Sequence, residues 1–88
     1  MKLSTNARSI YNDMTMMYTR CLKRIKQEEF FKAGLDGYTI TGYKGAIINA
    51  FNSACITKDE AVHLLEVLEC YLMTISRSPE ESEVMLDA

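Results

Sequence analysis

Between residues 7 and 25 apolar side chains recur at Ala7, Tyr11, Met14, Tyr18, Cys21 and Ile25, in alternating steps of four and three. That spacing keeps them on one side of a 3.6-residue turn, and no strand, with its period of two, can present them together. Ile10, Met17 and Leu22 widen the stripe. The chain is therefore committed to packing a long helix, and an all-α architecture is the first expectation. Ser4, Thr5 or Asn6 can cap its start, because each side-chain oxygen can accept from a first-turn N–H that has no helical partner. Gly34 is the natural stop. The helix would then hold nearly thirty residues and extend about 40 Å.

Residues 34–42 mix three glycines with Thr39, Ile40 and Thr41 and read as a loop with a short extended stretch. A second helix fits residues 43–54, with Ala46, Ile47, Ala50, Phe51 and Ala54 on one face. A third starts at a capping box, where Thr57 and Glu60 can each satisfy the other's free N–H. Its stripe runs Ala61, Leu65, Leu68, Leu72, Ile75 and ends near Ser76 or Arg77. A turn of about three residues forces the second and third helices into an antiparallel hairpin. The expected fold is a three-helix bundle, a long N-terminal helix on that hairpin. Residues 1–77 form one helical domain and residues 78–88 an acidic tail, in which Ser78, Pro79 and Glu81 can start a short C-terminal helix.

Lengths of about 40, 18 and 28 Å do not match. An overhanging apolar stripe on the first helix is the expected consequence, and a second copy of the chain covering it, a homodimer, is the expected remedy. Eighty-eight residues with 48% apolar content suffice for one core and no more. Cys21, Cys55 and Cys70 are an odd, unpaired set, which points to a reducing compartment. No apolar run approaches the roughly 20 residues needed to cross a bilayer, and residues 1–6 are not a signal peptide, so a cytoplasmic protein without membrane contact is expected.

Chemistry is sparse. His63, the one histidine, stands at helical spacing from Asp59 and Glu66, where a carboxylate can orient a base; a solvated surface histidine is the plainer account. The cysteines lack metal-ligand spacing, and only Cys21, beside Arg20 and near Lys23 and Arg24, has part of a nucleophile's setting; small buried hydrophobes are the plainer account for all three. Gly42 and Gly45 precede a helix without the spacing of a phosphate-binding loop. No enzyme, metal or cofactor is expected.

What remains are contact elements. Arg20, Lys23 and Arg24 share a helical face and can touch phosphates, which makes a nucleic-acid accessory factor the runner-up reading, against an overall net charge of −2. Residues 1–33 carry seven cations and three anions, and residues 34–88 three cations and nine anions. The halves should attract, with the Glu80, Glu81 and Glu83 carboxylates as one candidate partner for the basic cluster. Tyr11, Met14 and Tyr18 supply the adaptable and aromatic surface favoured at protein interfaces, although ordinary core is the plainer account for Met14 and Met17. Together these nine residues are the expected partner-binding set.

The hairpin, Tyr43-Lys44-Gly45-Ala46-Ile47-Ile48-Asn49-Ala50-Phe51 followed by Cys55-Ile56-Thr57-Lys58-Asp59-Glu60-Ala61, looks like the compact helical proteins that bacteriophages and other mobile elements encode, anti-CRISPR and other anti-defence inhibitors among them. The resemblance is one of size, helical layout and missing chemistry, and it transfers no site residues. It implies a stoichiometric binder that blocks a larger host protein.

Overall fold

A computed structural model describes the backbone of residues 2–87 and the side chains of residues 2–77. Three helices, α1 (Thr5–Lys26), α2 (Phe30–Asn52) and α3 (Lys58–Asp87), form an all-α three-helix bundle. Turns of three and five residues, 27–29 and 53–57, leave consecutive helices no room to do anything but reverse direction.

The expected starts of α1 and α3 are where the caps put them, whereas α2 starts at Phe30, not Tyr43, and has no side-chain cap. Ser4 Oγ accepts from the Ala7 N–H at 3.4 Å. At α3 the capping box is reciprocal: the Thr57 N–H donates to Glu60 Oε1 at 2.9 Å and the Glu60 N–H to Thr57 Oγ1 at 3.1 Å. Glu60 does more than cap its own helix. Its second oxygen accepts from the Ser4 N–H at 2.7 Å, so one carboxylate closes the starts of α1 and α3 together.

Lengths and stops differ from the sequence expectation. The first helix ends at Lys26, not at Gly34, and residues 34–42 are helix rather than loop. The second helix has 23 residues instead of about twelve. α3 continues past Arg77 as one helix to Asp87, in place of a stop and a separate short C-terminal helix. The ends of α1 and α2 are closed in the same way. At each, two backbone bonds close the helix end: Glu28 N–H to Ile25 C=O at 3.0 Å with Glu29 N–H to Arg24 C=O at 2.8 Å, and Ala54 N–H to Phe51 C=O at 3.0 Å with Cys55 N–H to Ala50 C=O at 2.8 Å. This paired pattern requires a left-handed residue, normally glycine. Glu28 (φ 62°) and Ala54 (φ 61°) take that place.

The four glycines meanwhile all lie inside α2, none at positive φ. Packing explains why helix wins there. Ala33, Ile40 and Ile47 are spaced by seven residues and buried, both isoleucines completely. Burying one isoleucine is worth about 1.5–3 kcal/mol, against about 0.5–1 kcal/mol lost per helical glycine. The Thr39 and Thr41 hydroxyls donate back to the carbonyls of Leu35 and Gly37, which absorbs their polarity within the helix. Ala7, Met14 and Cys21 repeat the seven-residue spacing on α1, and Ala61 and Leu68 on α3. Side chains so spaced stay in register along a seam between neighbouring helices.

The clasp at Glu60 carries a pH signature. The N–H groups of Thr57 and Ser4 hold its carboxyl down to about 2 from an ordinary 4.5. A lowered folded-state pKa contributes stability that is complete above about 4.5 and is lost as pH falls toward 2. Glu60→Gln keeps one acceptor oxygen and no charge. Thermal melts between pH 6 and 2.5 should show a smaller acid-induced drop in Tm for the variant than for the parent. Parallel curves would mean that the clasp contributes nothing to stability.

Candidate functional site

The residues expected to bind a partner through α1 are mostly occupied inside the bundle. Met14 is completely buried and belongs to the core, which corrects its expected role as a contact residue. Tyr18 stacks on Tyr71 with ring centroids 4.0 Å apart and planes within 5°. Thr15 Oγ1 and Tyr71 Oη share a hydrogen bond of 2.8 Å beside this stack, and burial raises the Tyr71 pKa. Tyr11 is half-buried against the core. Of the large apolar residues of α1, only Met16 is well exposed. The overhang that called for a second chain on α1 is absent, because α1 and α2 have 22 and 23 residues and span about 33 and 35 Å.

The basic cluster is likewise engaged from below. Asp36, in the second turn of α2, has a side chain only 3% exposed, and both Arg20 and Arg24 reach it. Arg20 donates through Nη2 to Oδ1 at 2.8 Å and through Nε to Oδ2 at 3.3 Å, while Arg24 Nη1 lies 2.9 Å from both oxygens. The hydrogen bond to Asp36, then its charge, raises the Arg20 pKa. Position explains the geometry: Arg20 stands eight residues before Glu28, the centre of the turn, and Asp36 eight after it. Two of the three cations read as phosphate contacts are thus locked to a buried carboxylate, and Lys23 alone of them is exposed without that tie. Glu80, Glu81 and Glu83 lie outside the residues whose side chains are described.

Cys21 sits under the same cluster, fully buried, with its thiol donating to the Ala33 carbonyl at 3.4 Å. Burial first, and Asp36 second, push its pKa up, the reverse of what a nucleophile needs. Cys55 and Cys70 are exposed, contrary to the expectation of buried thiols. His63 is half-buried at the rim of a groove of about 320 Å³ shared with Lys2, Arg8, Tyr11 and Asn12, at the end of the bundle where α1 and α3 begin. Among the described residues no three His, Cys, Asp or Glu side chains gather as a metal set, and no helix is long and apolar enough to cross a membrane.

The exposed apolar surface is on α2. Of nine large hydrophobic side chains well exposed among the described residues, six belong to that helix: Phe30, Phe31, Leu35, Tyr38, Ile48 and Phe51. Phe31 and Tyr38 are 81% and 83% exposed, as open as side chains on a bare helix. At roughly 100° per residue the buried positions 33, 36, 40 and 47 define the inner side. Phe31, Leu35, Tyr38, Gly42, Gly45 and Asn49 fall opposite. The charged residues of α2 are Lys32, Asp36 and Lys44: Asp36 points inward, and the lysines stand roughly 120° to either side of the outward line. The outward face of α2 is therefore uncharged along its whole length. An apolar strip without charge is what solvated helix surfaces avoid and contact surfaces provide. The signal lay in the sequence, in a stretch whose charges are only Lys32, Asp36 and Lys44, but reading residues 34–42 as loop hid the face it belongs to.

Compared with known protein families, curated proteins and solved structures, the chain matches none.

Proposed function

We propose that this protein is a small, non-enzymatic protein–protein interaction module that docks through the outward face of α2. It acts stoichiometrically, covering a surface on a larger protein, as the resemblance to phage anti-defence and anti-CRISPR inhibitors implies. The observation that carries the reading is the uncharged strip with Phe31 and Tyr38 standing free. Free thiols at Cys21, Cys55 and Cys70 favour the cytoplasm as its place of action. The binding role expected of α1 moves to α2, because Met14, Tyr18, Arg20 and Arg24 spend their surface and charge within the bundle.

A photo-crosslinking p-benzoylphenylalanine placed at position 38, and separately at the exposed Glu66 of α3, tests the reading in the native host. Position 38 is expected to give discrete protein adducts and position 66 none. No adduct from position 38, or the same adducts from both positions, would overturn it.

A further inference from the structure

We infer that the face of α2 is first of all a self-association surface, occupied in the free protein by α2 of a second copy running antiparallel about a two-fold axis near Thr41 and Gly42. The inference rests on the reading of that face as a docking surface and names its occupant. Three observations carry it.

The first is the distribution of bulk. Phe31, Leu35 and Tyr38 crowd the N-terminal half of the outward face, while Gly42, Gly45, Ala46 and Asn49 leave its C-terminal half low. A two-fold axis between positions 41 and 42 sets Tyr38 over Gly45, Leu35 over Ile48 and Phe31 over Asn52 of the other copy. Tyr38 thus lands on the low ground at Gly45 and Leu35 meets the apolar Ile48, and by symmetry the same contacts recur at the other end. A foreign partner would have to bring a matching gradient, whereas the chain already carries it. An isologous contact demands this self-complementarity.

The second is the glycines themselves. A Cβ added at Gly34, Gly42 or Gly45 would meet nothing within 4 Å, and none of these residues has positive φ. Nothing among the described residues asks for glycine there, yet each weakens the helix. Close approach of another backbone is a use for them that the isolated chain lacks.

The third is charge and area. Groups near a two-fold axis approach their own images, and the outward face carries no charge there to repel. Phe31 and Tyr38 offer about 300 Å² per copy at their observed exposure. Leu35, with Phe30 and Ile48 on the flank roughly 90° from the outward line, raises this to at most roughly 600 Å², so a pair that buries face and flanks fully would reach the roughly 1,200 Å² at which specific interfaces begin.

Light scattering on the purified chain at about 100 µM should give twice the monomer mass of 10.0 kDa. Gly45→Leu places an isobutyl group where Tyr38 of the second copy seats. It has open space within its own chain, so the variant should fold and return to the monomer mass. In a Cys55→Ser, Cys70→Ser background, Thr41→Cys should form a disulfide-linked dimer under mild oxidation, Asn52→Cys should not, and mixing Phe31→Cys with Asn52→Cys should. A monomer at all concentrations, an unaffected Gly45→Leu dimer, or linkage through Asn52→Cys alone would overturn the inference. If the chain is monomeric while position 38 still captures a heavier protein in cells, the docking face stands and the second copy falls. If position 38 captures nothing, both fall.

Discussion

Replacing Arg20 and Arg24 together with alanine is expected to bring the bundle to the edge of unfolding. The variant leaves the Asp36 carboxylate, 3% exposed, with none of its four hydrogen bonds. A buried charge deprived of its partners costs about 3–5 kcal/mol, and a whole domain has about 5–15 kcal/mol to lose. The converse change is asymmetric. In Asp36→Leu the arginines, 50% and 26% exposed, can turn to water, and a hydrophobic side chain takes the buried position. Such replacements are often neutral or stabilising, so the change should stay within about 2 kcal/mol of the parent. Urea unfolding of both variants decides. If Asp36→Leu loses as much as the double arginine variant, the cluster supplies net stability and does not merely fix how α1 sits on α2.

Moving the glycines to where the backbone needs them should stabilise the chain by a comparable amount. Alanine at Gly34, Gly37, Gly42 and Gly45 meets open space in every case. Each exchange is worth about 0.5–1 kcal/mol, and four together about 2–4 kcal/mol. Glycine at Glu28 and Ala54 relieves left-handed strain of about 1 kcal/mol at each site. A domain of this size gains about 4–8 °C in Tm per kcal/mol, so the combined variant should melt well over 10 °C above the parent. Dilute samples isolate this effect from association, which the alanines at positions 42 and 45 should weaken. A fall in Tm with the four alanines would mean that residues 34–45 are not the straight helix described.

The two halves of this exchange also explain what the sequence could and could not disclose. The starts of α1 and α3 were legible because side chains make them: Ser4 and the Thr57–Glu60 box are local and chemically specific, while α2 starts at Phe30 with no side-chain cap to announce it. The end of α1 was not legible, because Glu28 does a glycine's work and nothing in its side chain announces it. Once the turn at residues 27–29 goes unseen, Gly34 becomes a false stop, and the seven-residue spacing of Ala33, Ile40 and Ile47 is split among the first helix, a supposed loop and the second helix. The candidate face vanished with it. An apolar surplus was legible in the composition, but its address was not: Met14 and Tyr18 looked available on α1 because their neighbours on α2 and α3 lay far along the chain. Asp36, the partner of Arg20 and Arg24, was hidden because residues 34–42 read as loop.

The order of assembly follows from how far apart in sequence the polar ties reach. Arg24 and Asp36 are separated by twelve residues, so a short loop closure forms the first hairpin. Ser4 with Glu60, and Thr15 with Tyr71, each join residues fifty-six apart. The seam between the first and last helices is thus the long-range part of an otherwise local topology. Its larger loop-closure cost makes it the part expected to close last and to limit the folding rate.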